Sequence, residues 1–159
     1  LQEGIALDVK LINPFVDAIA TVMPQLGFQS INRGKLAVKE QYVSSQGVTV
    51  LIGMTNQVRG NIAYNMSEET ARSIASVMMM GMPVEKMDEM AQSAISELVN
   101  MVTANAAINF EKQGMNVDIS PPSLALGADF KVKVSSTKYL ALELLVDSNA
   151  IELNIGLGQ

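Results

Sequence analysis

The chain has 159 residues, 48% of them apolar and only 4% aromatic, which is enough for one domain with a full core and too short for two. Its net charge of -5, with no basic stripe, excludes nucleic acid and anionic lipid as the main partner. Histidine and cysteine are absent, so imidazole bases, Ser-His-Asp triads, histidine-ligated zinc, disulfides and thiol chemistry are excluded as well. No apolar run approaches the ~20 residues that cross a bilayer, so no membrane insertion is expected. Leu1-Gln2-Glu3-Gly4 lacks the basic start and apolar run of a signal peptide. The expectation is a cytoplasmic protein. No phosphate loop of either glycine pattern occurs, and the carboxylates are scattered rather than spaced as metal ligands. An enzyme built from this chain works with carboxylate, amide and hydroxyl groups and borrows any metal from its substrate.

Asp8 to about Gln25 reads as a helix, with Leu11, Phe15, Ile19 and Val22 at helical spacing. Pro14 moves its start toward Asn13, and Gly27 closes it. Lys35–Ser44 reads as extended. Val48–Gly53 and Arg59–Tyr64 form a hairpin around Met54-Thr55-Asn56-Gln57. Ser67-Glu68-Glu69 opens a second helix with a hydroxyl cap and acids in its first turn. It ends at Met80-Gly81, so Met78-Met79-Met80 and Met82 read as core at that end or as a partner surface. The longest helix runs from about Pro83 or Val84 to Gln113 and stops at Gly114. Asp88-Glu89, beside Lys86, reads as a solvated face. Val117–Ser120 and Ser123–Gly127 are extended around Pro121-Pro122, where Pro122 starts a strand without chemical role. Tyr139–Val146 and Ala150–Ile155 form a second hairpin, turning at Asp147-Ser148-Asn149.

The order helix, glycine, extended segment, hairpin occurs twice, over approximately 8–66 and 88–157, which reads as a degenerate duplication within one domain spanning 1–159. Aligning the helices sets Asn13, Asp17 and Ala20 opposite Ser93, Glu97 and Asn100. The first copy keeps a carboxylate but has no amide one turn on. Asp17 therefore reads as solvated or structural, and a working glutamate–amide pair exists once.

On the long helix, Ser93, Glu97 and Asn100 share one stripe at about 100° per residue. Ala94, Ile95, Leu98, Val99, Met101 and Val102 fill the other sides. A carboxylate and an amide thus face outward, one turn apart. Spacing alone leaves two readings open. Glu97 suits a solvated helix position, and Asn100, a mediocre helix former, suits a structural amide bonded to a loop.

Ser93-x-x-x-Glu97-x-x-Asn100, followed some twenty residues on by Pro122, resembles the CheX branch of the CheC/CheX/FliY phosphatases. Met79-Met80-Gly81-Met82-Pro83 before the helix and Asn116 to Gly127 after it are similar too, so the resemblance covers roughly residues 5–157. Thr103-Ala104-Asn105 departs from the small residues, often with a glycine, that usually follow the asparagine. The doubled Pro121-Pro122 leaves the family's proline ambiguous by one position. The resemblance implies an α+β, CheC-like fold: pseudo-duplicated helix and hairpin units, with two long helices on an antiparallel sheet. It implies hydrolysis of the aspartyl phosphate on a phosphorylated CheY-type response regulator, ending a chemotaxis signal. It also implies homodimers formed through the sheets. Within that reading Asn100 orients the attacking water, because an amide offers donor and acceptor without repelling the phosphoryl group. Glu97 pairs with the receiver's active-site lysine. No cofactor of its own is required, since the receiver supplies Mg²⁺. Ser93 shapes the site or is a small surface residue. Ala104 and Ala107 continue the stripe toward Glu111 and let the partner's backbone approach. Two rival readings remain: a receiver-binding or flagellar-switch module without useful hydrolysis, and a structural dimerisation domain.

Overall fold

The computed structural model describes residues 9–158. A single 3-10 turn at Val9–Leu11 leads into α1 (Asn13–Gln25), β1 (Ile31–Ser44), β2 (Gly47–Asn56), β3 (Arg59–Ser67), α2 (Glu68–Met78) and α3 (Glu89–Lys112). Four strands follow: β4 (Val117–Ile119), β5 (Ser123–Gly127), β6 (Lys131–Val146) and β7 (Asn149–Gly158). All pairings are antiparallel, in the order β1-β6-β7-β3-β2-β4, with β5 also on β2. The fold is α+β, as the sequence predicts.

Local chemistry accounts for most of the element ends. Pro14 occupies the first turn of α1, where its missing N–H costs nothing; Asp8 lies outside the described residues. Gly27, at φ +103°, takes the left-handed position after α1, and the Phe28 N–H returns to the Met23 carbonyl at 3.2 Å. Ser67 caps α2 by accepting from the Thr70 N–H at 3.0 Å. The second hairpin turns at Asp147-Ser148, both at positive φ (+48° and +68°), the geometry that matches strand twist. The Asp147 carboxylate also accepts from the Gln29 and Ser30 N–H groups at 3.0 and 2.8 Å. That pair of bonds ties the turn to the segment after α1.

Several expected boundaries move. α3 starts at Glu89 rather than near Pro83, because Asp88 is its N-cap and accepts from the Ala91 N–H at 2.9 Å. Asp88 is therefore a capping residue and not merely part of a solvated face. α2 ends at Met78, before Met80. The first hairpin tightens to a turn at Gln57-Val58, since Met54 pairs with Gly60. β1 begins at Ile31 and β6 at Lys131, upstream of Lys35 and Tyr139.

The helices cover one sheet face. Phe15 of α1 meets Phe110 of α3 edge to face, with ring centroids 6.1 Å apart. Beneath them lie Val50 and Ile52 (β2), Ile62 and Met66 (β3), Leu142 (β6) and Leu153 (β7), all fully buried. The other face carries a small cluster of Val43, Ala63, Val134, Tyr139 and Ala141. The β2–β3 and β6–β7 hairpins meet at the sheet centre through β3 and β7, with Ile62 opposite Ile155 and Tyr64 opposite Leu153. Each hairpin is then flanked by a strand from the other half of the chain: β1 lies on β6, and β4 and β5 lie on β2.

Candidate functional site

α3 is wedged between α1, α2 and the sheet, so it buries more than one side: Ala91, Ile95, Leu98, Val99, Val102, Thr103, Ala106 and Phe110. Thr103 is bonded through its hydroxyl to the Tyr64 phenol of β3 at 2.8 Å. That bond, the Phe15–Phe110 contact and the Asn109 amide, which donates to the Pro14 carbonyl at 2.9 Å, fix the rotation of α3. What remains for solvent is the stripe with Ser93 and Glu97, both exposed, and the half-buried Asn100.

The chain after α3 supplies the opposite wall. β4 pairs with β2 up to Ile119–Met54, and β5 resumes at Ser123–Leu51. Between them Ser120, Pro121 and Pro122 lie opposite only Ile52 and Gly53. Neither proline has an N–H to give to β2, so the segment bulges off the ladder. Ser120 pins its base: its N–H donates to the Gly53 carbonyl at 3.0 Å, and its hydroxyl accepts from the Gly53 N–H at 2.8 Å. Ser93, Ser96, Glu97 and Asn100 then line one shallow, open depression with Ile119, Ser120, Pro121 and Pro122.

The structure therefore brings together Ser93, Glu97 and Asn100, and adds Ser96 and Ser120. Ala104 and Ala107 lie outside the depression; Ala107 leans on the core, and Ala104 is half-buried on the same helix. Pro122 precedes β5 as expected but is also part of the wall. Ser96 carried no sequence signal, being one of several helical serines. Ser120 emerges only once β4 and β5 are laid on β2. Neither the Glu97 carboxylate nor the Asn100 amide has a hydrogen-bond or ion-pair partner among the described residues. Among the described residues no loop bonds to the Asn100 amide. No three Asp or Glu side chains gather to hold a metal among the described residues. On α1 the counterparts Asn13, Asp17 and Ala20 are exposed, and none of them lines this depression.

A carboxylate and an amide, neither of them bonded among the described residues, thus sit on α3 in a shallow, open depression. The family model for the chemotaxis phosphatase CheX matches residues 48–144, a stretch containing all of α3 and both walls of the depression. This chain belongs to the CheX family. It is 34% identical over 128 residues to the CheY-P phosphatase CheX of Thermotoga maritima, covering 80% of this chain and 82% of that one. The CheX of Borrelia burgdorferi, solved as a complex with CheY, BeF3 and Mg²⁺, is 27% identical, with a TM-score of 0.80 over 97% of this chain and 100% of its own. A CheC-like superfamily protein from Shewanella sp. PV-4 shares the fold at a TM-score of 0.84 and 24% identity, over 96% of this chain and 100% of that one.

Proposed function

We propose that this protein is a phosphatase of the aspartyl phosphate on a CheY-type response regulator and that it ends a chemotaxis signal by hydrolysing it. The observation that carries this reading is the free Glu97/Asn100 pair in the depression closed by Ser120–Pro122, in a chain of the CheX family. An acyl phosphate is already reactive. Water must attack the phosphorus in line; the new O–P bond forms as the P–O bond to the aspartyl carbonyl breaks. The carboxylate leaves, and the water's protons pass to phosphate and solvent. The chain's task is therefore positioning and electrostatics.

Asn100 suits the water: its amide carbonyl accepts from the water while the NH₂ group faces phosphoryl oxygens, and it carries no charge to repel them. Glu97 suits an ammonium on the receiver, one helical turn away, fixing the docked geometry. Mg²⁺ belongs to the phosphorylated receiver, as part of the substrate. Ser93 borders the pair, while Ala104 extends the docking strip and Ala107 contributes less, being turned toward the core. A partner of this kind supports a cytoplasmic location.

A homodimer through the sheet is supported by β1, a 14-residue edge strand with Leu36, Val38 and Tyr42 exposed. A single domain made from two copies of one unit is supported by the central β3–β7 pairing, which sets one hairpin against the other.

The test is the decay of phosphorylated CheY-type receivers with the parent protein, Asn100→Ala and Glu97→Ala. The parent accelerates decay; Asn100→Ala, still folded, loses ~100-fold of the acceleration; Glu97→Ala weakens receiver binding. Tight binding of a phosphorylated receiver with no faster decay would replace the phosphatase by a receiver-binding module.

A further inference from the structure

Nine large apolar side chains are exposed among the described residues, and two of them, Met90 and Ile108, are on α3. Met90 is 63% exposed and Ile108 51%. Helical geometry sets both on the line of Glu97. Met90, seven residues before it, and Ile108, eleven residues after it, are each rotated by about +20°, so the two share one line along the helix. They stand ~10 Å and ~16 Å from Glu97 along the axis, so the line from end to end is ~27 Å. A receiver domain of about 120 residues is ~30 Å across, with a radius of gyration near ~14 Å. Between the two ends the same face carries Ala94, Met101 and Ala104, all half-buried and low enough to leave Glu97 standing between two apolar posts.

We propose that Met90 and Ile108 are the apolar anchors of the receiver-docking face of α3, seating in two apolar dents on either side of the receiver's phosphorylated site. The proposal rests on the phosphatase reading above and adds where the binding energy comes from. An exposed Glu97–ammonium pair contributes little in water. Two apolar anchors exclude water around it, and an excluded rim is what makes a central charged pair selective. The occupant is a receiver rather than a second copy of this chain, for two reasons. The anchors flank Glu97, which lines the polar depression that a receiver's acyl phosphate and ammonium complement, whereas a facing copy would set Glu97 carboxylates against each other. The exposed apolar residues of β1 already give a second copy its own surface on the sheet edge.

The test compares Met90→Glu, Ile108→Glu and the controls Met90→Leu and Ile108→Leu, using a BeF3-activated receiver for binding and its phosphorylated form for turnover. Both acidic variants remain folded: a glutamate near the N-terminus of α3 favours the helix, and glutamate outranks isoleucine as a helix former. Each glutamate weakens binding about tenfold to a hundredfold and raises KM with kcat near the parent's, the mark of lost uniform binding. The leucine variants stay within about twofold. If the parent hydrolyses the phosphoreceiver and both glutamate variants keep its KM, the anchors are refuted and the phosphatase stands. If the parent neither binds nor hydrolyses any phosphoreceiver, the phosphatase reading fails and takes the anchors with it.

Discussion

The Tyr64–Thr103 bond offers a quantitative test of how α3 is held beneath the depression. Thr103 lies three residues beyond Asn100 and is fully buried, and Tyr64 is 5% exposed. Their oxygens are 2.8 Å apart. Thr103→Val keeps the shape but strands a buried phenol, at a cost of about 1–3 kcal/mol. Tyr64→Phe costs less, about 1 kcal/mol, because the threonine hydroxyl turns to the carbonyl one turn back in its own helix. The double variant leaves no orphan, so its cost falls below the sum by about 1–2 kcal/mol. Urea titrations with an unchanged slope measure all three corners. Additivity within about 0.5 kcal/mol would refute the bond as the anchor of α3.

The same variants carry a pH signature. Burial holds the Tyr64 phenol far above its usual range, with the Thr103 hydroxyl pulling weakly the other way. A folded-state pKa above the unfolded one gives stability that is full below about pH 10 and declines as the pH climbs beyond it. Tyr64→Phe flattens that decline. Tyr139, raised by burial and then by the Glu152 carboxylate, contributes in the same direction.

Two further outcomes are expected. Gly60, at φ +138°, sits so close to β7 that an alanine methyl would collide with the Gly156 carbonyl oxygen. Gly60→Ala costs about 3 kcal/mol or more, against about 1 kcal/mol for Gly114→Ala, where nothing lies within 4 Å; equal melting temperatures would contradict this. Sedimentation equilibrium should give a dimer that Val38→Lys on β1 shifts to monomer; a parent that is monomeric at every concentration would exclude pairing through that edge.

The legible parts of the sequence were those governed by local chemistry. Pro14, Gly27, Ser67 and Gly114 punctuate the chain where their backbone demands place them, and Asp147-Ser148 turns as read. The misplaced boundaries have a common cause. Ile31–Lys35 of β1 and Ser135–Lys138 of β6 are largely exposed and lack apolar alternation, and the alternation at Lys131–Val134 lasts only four residues; their strand character comes from distant partners, Ile31–Arg33 on Leu144–Val146 and Lys131–Lys133 on Tyr42–Ser44. Pro83 signals a helix start, but the side-chain cap at Asp88 decides it. In the site, Glu97 and Asn100 were visible through their spacing on one helix face. The wall facing them was not, because the placement of Ser120 depends on the ladder to Gly53, some 67 positions away in sequence.

The exchange of outer strands between the halves makes the chain a closed loop of dependence. β1, synthesised early, has no neighbour until residues 131–146 arrive, and the β2–β3 hairpin lacks its flank until β4 and β5 are made. Neither half can bury its own edge, so folding waits for long-range closure and proceeds as one slow, cooperative event. A cut in the connection between α2 and α3 would not release two independent pieces. The fragments would clasp each other through the β1–β6, β2–β5 and β3–β7 ladders, and each would be unstructured until it met the other.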